Sequence, residues 1–347
     1  MVNAVLTGRG SAVPATMPQQ ALWDEFFSAH YGGSALAERI WQRAGVDVRH
    51  GVVDPREEDV SSWGTGARMR RFVSEAMPLG KEALAACLDS AELAAGDVDA
   101  LTVVSCIGYA TPGLDILLAR DLGMSADVQR VAIGHMGCYA AIPALATVAD
   151  AAVARGQTGV LLCLELTSLH IQPATDDAGQ MVAHALFSDA AAAVAVTPSS
   201  VEGLEVIDFI ARTDAARSAL MTWDVTDLGF RMGLSPQVPE VLSDHVADVV
   251  GELLHRNGLA PHDVGGWAVH PGGPRIVDVV AERLGLTSEQ VEHSREVLRT
   301  HGNCSSATVL LILQRMASAN AVEPGRHVVA MAFGPGLTLY AGLLRQR

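Results

Sequence analysis

Lysine is nearly absent: Lys81 is the only one in 347 residues. Any cationic surface must therefore be built from arginine, whose planar guanidinium suits phosphate. Basic residues are few overall, 24 against 39 acidic ones, for a formal net charge of −15. A nucleic-acid-binding face would need the opposite balance, so that class is set aside. No apolar run approaches the roughly 18 residues of a membrane span. The opening Met1-Val-Asn-Ala-Val-Leu-Thr-Gly lacks the basic and long apolar regions of a signal peptide. Cys87, Cys106, Cys138, Cys163 and Cys304 form no CxxC pair and have no histidine at zinc spacing. That pattern argues against a disulfide framework and against a structural metal site. The expectation is a cytoplasmic chain with free thiols, one available as a nucleophile and the others packed as small apolar groups.

What is present is a large apolar fraction, 49% of residues, enough for a sizeable core. At roughly 150 residues per domain the length suggests two domains or one composite unit. Strand-like runs (Ala100–Ser105, Gln129–Ile133, Val160–Cys163, Ala190–Val196, Trp267–Val269, His327–Met331) alternate with helical stretches (Lys81–Leu93, Leu114–Leu122, Tyr139–Arg155, Val238–Asn257, Arg275–Leu284, Ser306–Ser318). The alternation predicts α/β layers with mostly parallel sheets. The best internal boundary is the polar stretch Thr197–Gly203, giving halves 1–200 and 201–347.

The two halves resemble each other. Asp97-Val98 and Asp263-Val264 each precede a strand, and each following segment ends in a leucine–glycine pair. The same 41 positions separate Asp97 from Cys138 and Asp263 from Cys304. Gly137-Cys-Tyr-Ala-Ala141 and Asn303-Cys-Ser-Ser-Ala307 then open corresponding helices. This is the pattern of a duplicated α/β unit, with any site at the seam.

Three residues at element ends stand out. Cys138 follows a strand and a glycine turn and opens a helix, where unpaired N–H groups favour a thiolate; packing beside glycine is the plainer alternative. His270 ends an apolar strand in Trp267-Ala-Val-His-Pro-Gly-Gly-Pro274, the position where α/β folds present ligand-facing groups, although a lone histidine is often structural. Asn303 opens a helix and is open to two readings, N-cap or oxyanion donor. Together they make an acyl-transfer set.

These stretches, with Glu165-Leu-Thr-Ser-Leu169, Ala185-Leu-Phe-Ser-Asp-Ala190, Gly302-Asn-Cys-Ser-Ser-Ala307 and Gly334-Pro-Gly336, resemble in order the type III polyketide synthases of the chalcone synthase family, within the thiolase-fold condensing enzymes. The resemblance implies two thiolase-like halves packed as an αβαβα core, a homodimer, and CoA thioesters as substrates with no bound cofactor and no metal. It makes Cys138 the nucleophile with His270 and Asn303 as partners, the thiolate paired with His270 as imidazolium, and the starter acyl group carried on sulfur. Malonyl-CoA then loses CO₂, and the resulting enolate extends the chain while His270 and Asn303 hold the thioester oxygen. Phe187 and Phe230 resemble the gatekeeper phenylalanines, and Gly334, Pro335 and Gly336 the loop that shapes the site. Arg39 and Arg43, one helical turn apart, resemble CoA contacts; Leu36 stands where the family has a lysine, with Arg49 as the compensating cation.

The pocket positions implied by the resemblance are Cys106, Thr167, Leu169, His170, Met221 and Ser305. His170 and Met221 are larger than the residues usual in plant chalcone synthases, which implies a small cavity and a short product, a pyrone or small phenolic ring. Thr111, before Pro112-Gly113, falls where the family can project a residue across the dimer seam. The alternatives are a ketoacyl synthase III-like enzyme using an acyl carrier protein, and a non-catalytic protein of the same fold. A papain-type hydrolase fits neither the spacing nor the repeat.

Overall fold

A computed structural model describes residues 3–199 and 202–347. Its strands are β1 (Asn3–Ala12), β2 (Ala15–Pro18), β3 (Val48–Gly51), β4 (Ala100–Val104), β5 (Gln129–Ile133), β6 (Gly159–Glu165), β7 (Ala190–Ser199), β8 (Leu204–Thr213), β9 (Met221–Thr226), β10 (Gly229–Leu234), β11 (Val264–Val269), β12 (His327–Gly334) and β13 (Thr338–Gln346). Nine of them form one ladder in the order β11-β12-β13-β8-β1-β7-β6-β4-β5. Within the ladder the two halves of the chain join at β1 and β8, where Val5↔Glu205 and Leu6↔Leu204 pair among the described residues. The boundary expected at Thr197–Gly203 includes residues 200–201, which lie outside the described residues.

The expectation of mostly parallel sheets fails. Only β4–β5, β4–β6 and β11–β12 are parallel, while the other five neighbouring pairs are antiparallel. Parallel pairing needs a crossover connection, and each parallel pair here is bridged by helix: Leu114–Leu122 between β4 and β5, Ala141–Arg155 between β5 and β6, and three helices between β11 and β12.

Helices make three layers around the ladder. Thr65–Ser90 and Leu114–Leu122 cover the outer face of the first half, and Val238–Arg256 with Pro274–Leu284 cover that of the second. Ala141–Arg155 and Ala307–Ser318 touch each other in the middle layer, between the sheet halves. The architecture is therefore the expected α/β, αβαβα arrangement. By length and composition Gly137–Arg155 is apolar enough to cross a membrane, contrary to the reading of the sequence. Its place in the fold explains the composition: Ala141, Ile142, Ala144, Leu145, Val148, Ala149 and Ala152 are buried against strands of both sheet halves, while Thr147, Asp150 and the last turn reach solvent.

The repeat has a matching local chemistry. Asp97 accepts a hydrogen bond from the Ala94 N–H at 2.8 Å, and Asp263 accepts one from the Ala260 N–H at 2.9 Å. The helices that follow both end on a left-handed glycine, Gly123 (φ 73°) and Gly285 (φ 66°).

Candidate active site

Cys138 lies in a single 3-10 turn, Gly137–Tyr139, just before helix Ala141–Arg155. Gly137 has φ +77°, and a Cβ there would sit 2.6 Å from Pro335 Cδ. Glycine is what lets the Gly334–Pro335–Gly336 loop close over the turn. Gly137 donates its N–H to Cys106 Sγ at 3.0 Å, and Trp223 Nε1 donates to the Cys106 carbonyl at 2.8 Å. Cys106 thus braces the turn from behind.

His270 leaves the end of β11 with its N–H donating to the Met331 carbonyl at 2.8 Å. It is 1% exposed, yet among the described residues neither ring nitrogen has a hydrogen-bond partner. Asn303 is held by its main chain, which donates to Leu186 O at 2.8 Å and accepts from Ser188 N–H at 3.0 Å. Its Oδ1 accepts the Ser305 N–H at 2.9 Å, while its amide NH₂ reaches only the Gly272 carbonyl, at 3.5 Å. Ser305 is a non-glycine residue at φ +49°, a conformation that costs free energy and clusters at functional sites. Cys138, His270 and Asn303, from both halves of the chain, line one cavity of about 550 Å³. Phe187 and Met221 share that wall, and the exposed Arg39 and Arg43 lie on its solvent side with Leu36.

Burial governs the electrostatics. The Cys138 thiol is pushed up to about 12 by loss of water, with the Ser305 hydroxyl pulling it the other way. Burial alone pushes the His270 imidazole down to about 3. Burial disfavours a lone charge on either group, so the thiolate–imidazolium pair expected from the sequence depends on the attraction between the two charges. Beneath them Glu165, at the end of β6 and fully buried, accepts from Cys106 N–H at 2.9 Å and from the Ser306 hydroxyl at 2.5 Å. Burial pushes its carboxyl up to about 7 against those hydrogen bonds.

Family models decide the identity: that for the N-terminal domain of chalcone and stilbene synthases matches residues 55–200, and that for their C-terminal domain matches 207–346. The chain belongs to the chalcone and stilbene synthase family. It is a type III polyketide synthase, an acyltransferase. The chain is 34% identical to a 3,5-dihydroxyphenylacetyl-CoA synthase of Streptomyces toyocaensis, over 98% of this chain and 89% of the relative. It is 32% identical to the alpha-pyrone synthesis polyketide synthase-like Pks18 of Mycobacterium tuberculosis, over 87% and 80%. Among solved structures, PKS-I of the brown alga Ectocarpus siliculosus superposes with a TM-score of 0.94 at 27% identity, covering 100% of this chain and 99% of that one. The 1,3,6,8-tetrahydroxynaphthalene synthase of Streptomyces coelicolor A3(2) gives a TM-score of 0.93, also at 27% identity, covering 99% of each chain.

Against this synthase framework the remaining expected site residues divide. Thr167, His170, Phe230 and Arg49 line a second, smaller chamber, and Phe187 lines both spaces. His170 stacks on Phe230, with ring centroids 4.8 Å apart. Its Nδ1 accepts the Phe230 N–H at 2.9 Å, so its Nε2–H donates to the Ile107 carbonyl at 2.7 Å; burial pushes it down to about 3 and keeps it neutral. Leu169 is wholly buried. Leu169, Cys106, Ser305 and the Gly334–Gly336 loop stand behind the walls of both spaces rather than on them.

Arg49 departs from expectation. It is 6% exposed, not at the mouth. Its guanidinium donates to the carbonyls of His184 and Phe187 and lies over the Trp41 and Phe27 rings, at 4.8 and 5.6 Å. Those rings roof β3, so its side chain turns inward. Sequence reasoning missed Arg275, which lines the large cavity beside Gly272, Gly273 and Pro274. It also missed Met232 and Leu234, lining residues two apart on β10 whose period-2 spacing is the available signal. Among the described residues no group of three or more His, Cys, Asp or Glu is placed to hold a metal.

Proposed function

We propose that this enzyme primes Cys138 with a short acyl group from a CoA thioester, extends it with malonyl-CoA by repeated decarboxylative condensation, and releases a short polyketide as a pyrone or small phenolic ring. The observation that carries the reading is His270: a fully buried imidazole, with both nitrogens free, on the wall of the same cavity as Cys138 and Asn303.

As the thiol attacks the thioester, its proton passes to His270 and CoA leaves as its thiol. On decarboxylation of malonyl-CoA, negative charge gathers on the thioester oxygen, where an imidazole N–H and the Asn303 amide, held by one long bond to the Gly272 carbonyl, can donate; aligned donors in a dry site are worth several kcal/mol. Phe187 supplies an apolar wall against the malonyl carboxylate, which favours loss of CO₂. Arg39 and Arg43 take the CoA phosphates at the solvent side. Product length follows from the walls: Met221 narrows the main cavity, and His170 and Phe230 leave a side chamber of only about 50 Å³.

The test is incubation with malonyl-CoA and a panel of starters, without carrier protein, with products read by mass. Short chains from small starters are expected, and Met221→Gly should lengthen them. Preference for bulky aromatic or long fatty starters, or unchanged length in Met221→Gly, overturns the small-cavity reading. No turnover without carrier protein favours the ketoacyl synthase III-like alternative.

We also infer a cytoplasmic homodimer. The edge strand β5 exposes four of its five residues. Val131 (42% exposed), Ile116 (42%) and Tyr109 (68%) add apolar surface nearby, a combination that invites pairing with a second copy. Light scattering at micromolar concentration should give twice the 36.4 kDa chain mass; the single-chain mass overturns the inference.

A further inference from the structure

The smaller chamber behind the catalytic cavity has its own chemistry. Phe187, Ala183 and Met232 line both spaces and form the partition. At roughly 10–15 Å³ for each water-sized probe, its volume of about 50 Å³ admits a group the size of a carboxylate. Most polar groups on its wall are committed. His170 uses both ring nitrogens. His184 does too, with Nε2 accepting from Gln172 N–H at 3.0 Å and Nδ1 meeting the Tyr31 hydroxyl at 2.6 Å.

Two side chains are left over. Among the described residues Arg49 Nε and Gln180 Oε1 have no hydrogen-bond partner, although the two residues are 6% and 3% exposed. The acceptors that Arg49 does have are neutral main-chain carbonyls, of His184 and Phe187. The carboxylate that acts on it through space, Asp189, is already occupied. Asp189 accepts from the Thr167 hydroxyl at 3.0 Å, the Ser168 N–H at 2.8 Å, the Ser168 hydroxyl at 2.5 Å and the Val52 N–H at 2.9 Å. A buried guanidinium without a bonded counter-ion is costly and is completed by an anion. The Gln180 amide can turn about its terminal bond and offer NH₂ in place of its donorless oxygen.

We propose that this chamber receives the far carboxylate of an acyl group carried on Cys138, and that the enzyme therefore selects starters that are half-thioesters of short dicarboxylic acids. The proposal rests on the reading of Cys138 as the acyl acceptor. The loading step is a thioester exchange: the Cys138 S–C bond forms, the CoA S–C bond breaks, and the thiol proton passes through His270 to the departing CoA sulfur. The distal carboxylate takes no part in the bond changes and serves only as a handle.

The test compares succinyl-CoA with butyryl-CoA, two four-carbon acyl groups that differ in ending in a carboxylate or a methyl. The initial rate of Cys138 acylation is read by intact-protein mass over a range of thioester concentrations. Wild type should load succinyl faster by about tenfold or more, the discrimination expected of one hydrogen bond to a charged group. Arg49→Met, which keeps bulk and removes charge, should bring the ratio near one while butyryl loading persists. Equal or faster butyryl loading by wild type overturns the proposal, as does a folded Arg49→Met that keeps the preference. Because Arg49 also ties two carbonyls, Gln180→Leu provides a second variant, and an unchanged ratio there overturns the proposal equally. Butyryl loading without a carboxylate preference defeats only the chamber, whereas no loading by either thioester defeats the assignment of Cys138 as well.

Discussion

Two histidines show how one physical effect serves two purposes. Burial lowers both His170 and His270 below the ordinary imidazole value. His170 has each nitrogen committed, to Ile107 and Phe230, and can neither take nor give a proton without breaking structure. His270 has neither committed among the described residues, which suits it to the proposed role of proton acceptor within the cavity. Removing it should expose the intrinsic reluctance of Cys138 to ionise. With the thiol pushed up to about 12 by burial, His270→Gln should slow iodoacetamide labelling of Cys138 at pH 7.5 by at least about tenfold. The residual rate should climb roughly tenfold per pH unit, following the thiolate fraction. Peptide mass mapping against the other four cysteines, all buried, provides the readout. Labelling of the variant at the wild-type rate would mean that another base serves Cys138.

At the scale of elements, legibility followed local punctuation. Helix Leu114–Leu122 and strand β5 match the reading of the sequence at both ends, because Gly113 and Gly123 bound the helix and Gly134 follows the strand. The helix read as Lys81–Leu93 instead runs Thr65–Ser90, straight through Pro78. Proline is a strong local stop signal, but here packing outweighs it. Gly8 and Gly10 of β1 let this helix approach so closely that a Cβ on Gly10 would lie 2.3 Å from the Ala83 carbonyl. Arg68, wholly buried on the same helix, donates to carbonyls of Val60 and Ile171. Neither compensation leaves a sequence pattern. The three residues of the proposed catalytic trio were legible as candidates lining one cavity because each sits at an element end marked by glycine or proline. Arg49 was not, because its burial depends on Trp41 and Phe27, which come from separate segments. Glu165 was visible only as the residue ending a strand. Its place between the Cys106 turn and Ser306, on opposite sides of the seam, is a fact of tertiary structure.

Across the whole molecule, buried titratable groups pull stability in opposite directions with pH. His170, His270 and His301 are held near 3, 3 and 4 by burial, against 6.5 when unfolded, and His184 is held well below 6.5. A depressed folded value contributes stability that is present above 6.5 and lost as pH falls, because the unfolded chain takes the protons. Glu165 acts the other way. Its folded value is raised from 4.5 to about 7, so its contribution is complete below 4.5 and disappears as pH rises through 7. The histidines outnumber it, and overall stability should rise from pH 5 to pH 7. The glutamate is isolated by difference. At about 1.4 kcal/mol per pH unit, the stability of wild type minus that of Glu165→Gln should fall by roughly 3 kcal/mol between pH 4.5 and pH 8. Guanidinium unfolding midpoints for both proteins at four pH values and one fixed protein concentration measure this, the fixed concentration removing any shift from association. A difference that stays level with pH would mean that Glu165 is ionised throughout, with Ser306 and the Cys106 N–H outweighing its burial.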